Sequence, residues 1–235
     1  MDKLYIVMPA YNEEKAIANV VDEWHKVIEK VGRDSKLVIF NDGSKDNTLR
    51  VLENIRSRYP SLVVVNKENA GHGPTCTLAY KYAIADNADW IFQTDSDGQT
   101  KPCDFWQFWE KRNNYDFIIG SRSKRADGVA RRFVSQTLKV VILIIFKVIV
   151  KDANTPFRLM KVERLRKYIP AIPEDFFLPN TLLSVMITKN KEKIFWQDIT
   201  FVQRSSGISS ISPAKIGRLG LTLIKQLYKL RNVKA

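Results

Sequence analysis

The decisive stretch is Trp90-Ile91-Phe92-Gln93-Thr94-Asp95-Ser96-Asp97-Gly98-Gln99: an apolar run too short for a helix, then two carboxylates one residue apart. The same arrangement recurs on both sides of it. Leu4–Met8 is followed by Tyr11, Asn12 and Glu13, and Leu37–Phe40 by Asp42, Gly43, Ser44 and Asp46. Leu62–Val65 is followed by Asn69, Gly71 and Gly73, and Phe117–Ile119 by Arg122. Helical stretches near Lys15–Lys30, Thr48–Tyr59, Thr75–Ala85 and Asp104–Asn113 separate the runs; in the first, Ile17, Val20, Val21, Trp24, Val27, Ile28 and Val31 form one apolar stripe. Nearly all-apolar strands with helices between them imply an α/β fold whose mostly parallel central sheet is covered on both faces. Ligands of such sheets sit beyond the carboxyl ends of the strands, and five elements deliver polar groups there.

Beyond residue 121 the pattern is less regular. Residues 122–132 read as a mobile basic loop, Phe133–Val150 as a helix, Phe157–Met160 as a short strand, Thr181–Thr188 as a helix and Ile194–Val202 as a strand. Pro213 opens a terminal helix, where its missing N–H costs nothing. The expected organisation is one domain over residues 1–212 and a basic amphipathic helix over 213–235. No run reaches 18 apolar residues, so Leu138–Val150, interrupted by Lys139 and Lys147, reads as a buried or interfacial helix. Leu4–Pro9 is too short for a signal peptide. Cys76 and Cys103 make no disulfide framework, so a reducing, cytoplasmic setting is expected.

The 235 residues include 38 Lys and Arg against 25 Asp and Glu, a net charge of +13. Residues 1–121 carry a net −3, residues 122–167 a net +10, and residues 203–235 seven cations and no acid. Such a surplus points to an anionic partner: nucleic acid, anionic lipid or a phosphate-rich substrate. The chain has no zinc pattern, helix-turn-helix signal or RNA-binding aromatic motif, so no specific nucleic acid is expected.

Asp95 and Asp97 are hard oxygen ligands at a strand end, suited to Mg²⁺ or Mn²⁺ shared with substrate phosphates; Asp-Ser-Asp-Gly is also good turn chemistry. Asp42 is either a turn former or a hydrogen-bond acceptor for a ribose hydroxyl or base edge, and Asp46 suits an N-cap. Gly71 and Gly73 permit close backbone approach to a nucleotide, beside a helix N-terminus that favours anions. Asn69-Ala70-Gly71-His72-Gly73 is not the dinucleotide fingerprint, and the acidic residue of a nicotinamide enzyme is missing. His72 reads as a structural or loop contact rather than a base.

Together these residues resemble family 2 glycosyltransferases of GT-A fold, and within them the dolichyl-phosphate mannose synthase and bacterial polyprenyl-phosphate glycosyltransferase branch. The resemblance spans residues 4–210. It rests on Met8-Pro9-Ala10-Tyr11-Asn12-Glu13-Glu14, Asn41-Asp42-Gly43-Ser44-Lys45-Asp46-Asn47-Thr48, Asn69–Gly73, Thr94–Gln99, Gly120-Ser121-Arg122, Asp152-Ala153-Asn154-Thr155-Pro156-Phe157-Arg158 and Arg204–Ser210. It implies inverting transfer from a nucleotide sugar, UDP- or GDP-linked, with a divalent metal on the diphosphate. Pro9, Tyr11, Glu13 and Asp42 would line the nucleoside pocket, with Asn12, Gly43, Ser44, Asn69, Gly71, Gly73 and Ser96 beside them. Asp95, Asp97 and Gln99 would address metal and donor phosphates. Arg122, Arg131 or Arg132, Ser135 and Arg204 would hold donor and acceptor phosphates.

Two departures bear on the acceptor: Thr155-Pro156 stands where this branch has Ser-Gly, and Ser96 and Gly98 replace apolar residues of the acidic motif. A polyprenyl phosphate needs no protein base; a glycan hydroxyl does, and Glu174 or Asp175 is the candidate. Ile216, Leu219, Leu223, Leu227 and Leu230 form a stripe flanked by Lys215, Arg218, Lys225, Lys229 and Arg231. That composition suits an anionic membrane surface at the cytoplasmic face, with room for a membrane-protein partner; the competing reading packs the stripe on the domain.

Overall fold

The computed structural model describes residues 2–122, 128–200, 202 and 213–232, with side chains from Val134 and Gly220 onward in the two helices that begin at 128 and 213. The elements are β1 (Leu4–Ala10), α1 (Ile17–Val31), β2 (Lys36–Asp42), α2 (Thr48–Arg56), β3 (Leu62–Lys67), α3 (His72–Ala85), β4 (Trp90–Gln93), α4 (Phe105–Lys111), β5 (Phe117–Ser121), α5 (Gly128–Phe146), β6 (Arg158–Lys161), α6 (Val162–Leu165), α7 (Pro179–Lys189), β7 (Ile194–Asp198) and α8 (Pro213–Lys229). The described strands form one sheet in the order β3-β2-β1-β4-β6-β5-β7. Every pairing is parallel except those of β6, which is antiparallel to β4 and to β5.

Alternation along each strand divides the core in two. Tyr5, Val7, Val38, Phe40 and Ile91 point to the face covered by α3, α5, α7 and α8. Leu4, Ile6, Met8, Leu37, Ile39 and Phe92 point to the face covered by α1, α2 and α4. The expected stripe of α1 is buried throughout. Trp24 anchors it, with its ring 5.4 Å from Phe92 and 6.0 Å from Phe157.

Three expectations change. The basic segment read as a loop to residue 132 is helical from Gly128, because Phe133–Phe146 carries its pattern back one turn. The strand read at Phe157–Met160 is β6, shifted by one residue and reversed, so its first residue lies at the carboxyl edge of its neighbours. The terminal stripe turns inward: Leu223 and Leu227 are buried and Leu230 packs beside them, in the same cluster as Ile142 and Phe146 of α5. The helix beyond residue 212 thus shares the core of the domain. Among the described residues, no helix is long and apolar enough to cross a membrane.

Leu227→Ala is expected to cost about 2–5 kcal/mol, the range for emptying a buried leucine site. Leu221→Ala, on the exposed side of the same helix, should stay within about 0.5 kcal/mol. Urea midpoints of the two variants check this; equal midpoints would place the stripe outside the core.

Candidate active site

A cleft of about 370 Å³ opens at the carboxyl edge of β1, β2 and β4, lined by Pro9, Ala10, Tyr11, Glu13, Asp42, Asn69, Gly71, His72, Asp95, Ser96 and Asp97. All but Ala10 and His72 were expected from the strand-end pattern and the resemblance. Gly71, with φ of 93° and open space where a Cβ would stand, lets the backbone border the cleft at the start of α3. His72 was legible only as a loop contact, and it is one: it opens α3 on the cleft wall.

The loops after β1 and β2 are tied together below this lining. Asn12 takes a left-handed backbone (φ 56°). Its N–H donates to Ser44 Oγ at 3.0 Å, while its Oδ1 accepts from Lys45 N at 2.8 Å. Thr48 Oγ1 accepts from Glu13 N at 2.8 Å. Asp46 accepts from Thr48 N at 3.0 Å and Glu14 N at 3.2 Å, so it caps the α2 entrance although Asn47 is the residue at the boundary. Asn12, Gly43 and Ser44 therefore frame the cleft instead of lining it. A Cβ on Gly43 (φ +61°) would stand 2.7 Å from Asn69 N.

Asp42 is buried, and both its oxygens are engaged: Oδ1 by Lys67 Nζ and by Ala70 N at 2.9 Å, Oδ2 by Gly71 N at 3.0 Å. Burial pushes its carboxyl upward, but the Lys67 ammonium and the loop N–H groups outweigh that and hold it below the ordinary carboxylate value. The side chain clamps β2 to the β3–α3 loop and presents only its margin to the cleft.

The acid pair forms the floor. Ser96 is turned inward, its Oγ donating to Pro9 O at 2.8 Å, which leaves the flanking Asp95 and Asp97 on the cleft. Asp97 Oδ1 accepts from Gln99 N at 3.1 Å. Asp95 Oδ1 is buried with no hydrogen-bond partner, and an orphaned carboxylate oxygen is what a cation site presents when only its protein ligands are counted. Among the described residues no group of three or more His, Cys, Asp or Glu could hold a metal ion. A divalent cation on Asp95 and Asp97 would complete its shell with substrate phosphates and water, the usual habit of Mg²⁺. His72 Nε2 lies 3.5 Å from Cys76 Sγ and 4.0 Å from Asp95 Oδ1. Cys76 first, then Asp95 and Asp42, push the imidazole up to about 10.

Other expected residues are placed elsewhere. Gln99, expected beside the metal, donates its Nε2 to Val202 O at 3.0 Å and its backbone N–H to Asp97. Gly73 is outside the cleft lining and packs against the chain at Phe176–Phe177, where a Cβ would meet Phe176 O at 2.4 Å. Glu174 and Asp175 are exposed and outside the cleft lining, and Glu174 pairs with Lys81 at 3.0 Å. Arg122 is held by Asp152 through Nε–Oδ2 and Nη2–Oδ1 bonds, both 2.8 Å. Ser135 lies on α5. Arg131 and Arg132 fall on the first turns of α5, where side chains are not described, and Arg204 lies outside the described residues.

A mostly parallel sheet with a carboxylate pair and a cleft at one strand end is the architecture of GT-A glycosyltransferases. The model of glycosyl transferase family 2 matches residues 5–178, and the chain belongs to that family. An uncharacterized protein of Methanocaldococcus jannaschii is 26% identical over 233 residues, covering 94% of this chain and 98% of that one. A dolichyl-phosphate beta-glucosyltransferase of Trichomonas vaginalis is 29% identical over 175 residues, 68% of this chain and 53% of the relative, so this chain spans about half the length of that protein. The fold is shared with the crystal structure of glucosyl-3-phosphoglycerate synthase from Mycobacterium tuberculosis in complex with Mn²⁺, UDP-glucose and phosphoglyceric acid: TM-score 0.69 at 15% identity, over 100% of this chain and 81% of that one.

Asp42 yields a test in pH. Its folded-state carboxyl is depressed, so its contribution to stability is complete above the unfolded value of about 3.9 and is lost as pH falls through the depressed one. Asp42→Asn should cost on the order of 3 kcal/mol at pH 7, as for a broken buried pair, and flatten the acid limb of the stability curve. Urea midpoints at pH 7 and below pH 4 read both effects; a wild-type midpoint at pH 7 would show the clamp to be idle.

Proposed function

We propose that this chain transfers a sugar from a nucleotide sugar to a polyprenyl phosphate, with inversion at the anomeric carbon and a divalent cation on the donor diphosphate. The observation that carries the reading is the Asp95–Asp97 floor with its unpartnered Asp95 oxygen, set in a cleft whose walls are the expected nucleoside residues. Family membership and the dolichyl-phosphate relative support the reaction class and acceptor. The Mn²⁺ and UDP-glucose of the glucosyl-3-phosphoglycerate synthase complex support the metal and the donor type.

Tyr11, Glu13 and Asn69 border the nucleoside, and α3 turns its N-terminus, at His72, to the diphosphate. Asp95 and Asp97 would hold Mg²⁺ or Mn²⁺, which would supply positive charge to the leaving nucleoside diphosphate. Arg122 adds a fixed guanidinium at the end of β5 for phosphate. The acceptor phosphate oxygen attacks the anomeric carbon opposite the leaving group, and a phosphate monoester is mostly dianionic at neutral pH, so no protein base is required. Glu174, exposed and paired with Lys81, fits that requirement better than it fits a hydroxyl acceptor.

A lipid acceptor also suits the outer faces of α5 and α8. Val140, Leu143 and Ile144 are exposed in one stripe with Lys147, and Leu221, Ile224 and Tyr228 in another with Lys225. Residues 128–151 and 203–235 contain no acid. Apolar side chains level with lysines, on helices packed against each other, are the makings of peripheral attachment to an anionic bilayer.

Nucleotide sugars should be screened with Mg²⁺ and Mn²⁺ against polyprenyl-phosphate and glycan acceptors. Lipid-linked product is expected from the wild-type chain, and a loss on the order of 10²–10³-fold in kcat from Asp97→Asn. Full turnover in chelator-treated buffer would refute the cation, and product on glycans alone would refute the acceptor. Separately, Ile144→Glu with Leu221→Glu should abolish flotation with anionic liposomes while leaving the urea midpoint unchanged. Unchanged flotation would remove the membrane face from the reading.

A further inference from the structure

The segment Asp152–Arg158 has no place in the cleft lining, yet the reversal of β6 brings it to the same edge. Arg158 pairs across the sheet with Gln93 of β4 and with Ile119 of β5. The strands that end at Asp95 and Arg122 therefore flank it, about 10 Å apart at two strand spacings.

Arg158 is fully buried. Its guanidinium donates to Thr155 O at 2.8 and 3.1 Å, to Ala153 O and Asn180 O at 3.4 Å, and to Ser184 Oγ at 3.4 Å. No ion pair within 4 Å compensates it among the described residues, and burial pulls its pKa down. A buried guanidinium held by carbonyls is costly where an aliphatic side chain would fill the space, so its return lies in geometry: it gathers two carbonyls of one short loop and fixes that loop to α7. At the far end of the loop stands Asp152, whose carboxylate takes the Arg122 guanidinium in a two-bond fork and also accepts Arg122 N at 3.3 Å. Such a fork sets the plane of the guanidinium as well as its place.

We propose that Asp152 and Arg158 are positioning residues for the phosphate-binding Arg122. Arg158 makes the 153–155 turn rigid, and Asp152 at its end aims the Arg122 guanidinium across the sheet edge. The inference rests on the phosphate role given to Arg122 above. Its sign is distinctive: by charge alone, Asp152 beside the site repels a phosphate, so any benefit from it must come through orientation.

The test compares wild type, Arg122→Ala, Asp152→Asn, the double variant and Arg158→Lys, with Tm, kcat, KM for the nucleotide sugar, and inorganic pyrophosphate affinity by calorimetry. Asp152→Asn is expected to lower kcat on the order of 10- to 100-fold, as for a misplaced catalytic contact, with KM within about twofold. The double variant should be no worse than Arg122→Ala alone, the non-additivity of residues acting as a unit. Asp152→Asn should weaken pyrophosphate binding when Arg122 is present and leave it unchanged when Arg122 is absent. Additive losses, or unchanged or raised kcat and pyrophosphate affinity, overturn the proposal; a rise would mean that Asp152 masks Arg122. If Asp152→Asn does not fold, Arg158→Lys carries the same comparison, since it keeps the charge at 158 and loses the planar set of donors that gathers the loop carbonyls. If the wild-type chain transfers no sugar, the proposed function falls, and the pyrophosphate measurements still decide the positioning role.

Discussion

Like charges gathered at one place are the constraint around which the rest is arranged. Asp42, Asp95 and Asp97 all border one cleft, and a carboxylate taken out of water needs a counter-charge or donors. The chain answers for each differently. Asp42 is neutralised within the protein by Lys67 and two loop N–H groups; Asp97 receives Gln99 N; Asp95 keeps one oxygen without a donor. Asp42 thus holds loops together, while Asp95 keeps an oxygen open to the cleft.

Cations are distributed by the same logic. The net charge of +13 arises after residue 121, away from the strands that carry the acids. Arg122 is held at the sheet edge by Asp152, while Lys147, just past α5, and Lys225 and Lys229 of α8 are exposed on helices that also expose apolar residues. What composition presents as one surplus is divided between a sheet edge and the outer faces of two helices.

Periodicity made much of this legible in the sequence. The stripe of α1 and the apolar runs of β1, β2 and β4 record burial, which repeats every 3.6 or two residues, and the polar groups after those runs were bound to share an edge. Relations between loops have no period. Nothing in Asn12 or Ser44 says that they bond to each other, nor in Gln99 that its amide faces Val202. Gly73 could be read as a nucleotide contact until the chain at Phe176 was seen against it. The direction of β6 and the inward turn of Leu223 and Leu227 were hidden for a related reason: an apolar residue announces that it will be covered, not by what.

The antiparallel strand has a consequence for cooperativity. β4 and β5 share no hydrogen bonds; β4 is paired with β1, and β5 is joined to it through β6, with Phe92 and Ile118 both opposite Leu159. β5 and β7 therefore form a separate two-strand ladder until four residues, Arg158–Lys161, are threaded between two strands that precede them in the chain. Partial opening at β6 would release β5 and β7 as one unit and uncouple the arginine side of the site from the acid side. Arg122 and the acid pair thus follow strands that one short ladder keeps in register.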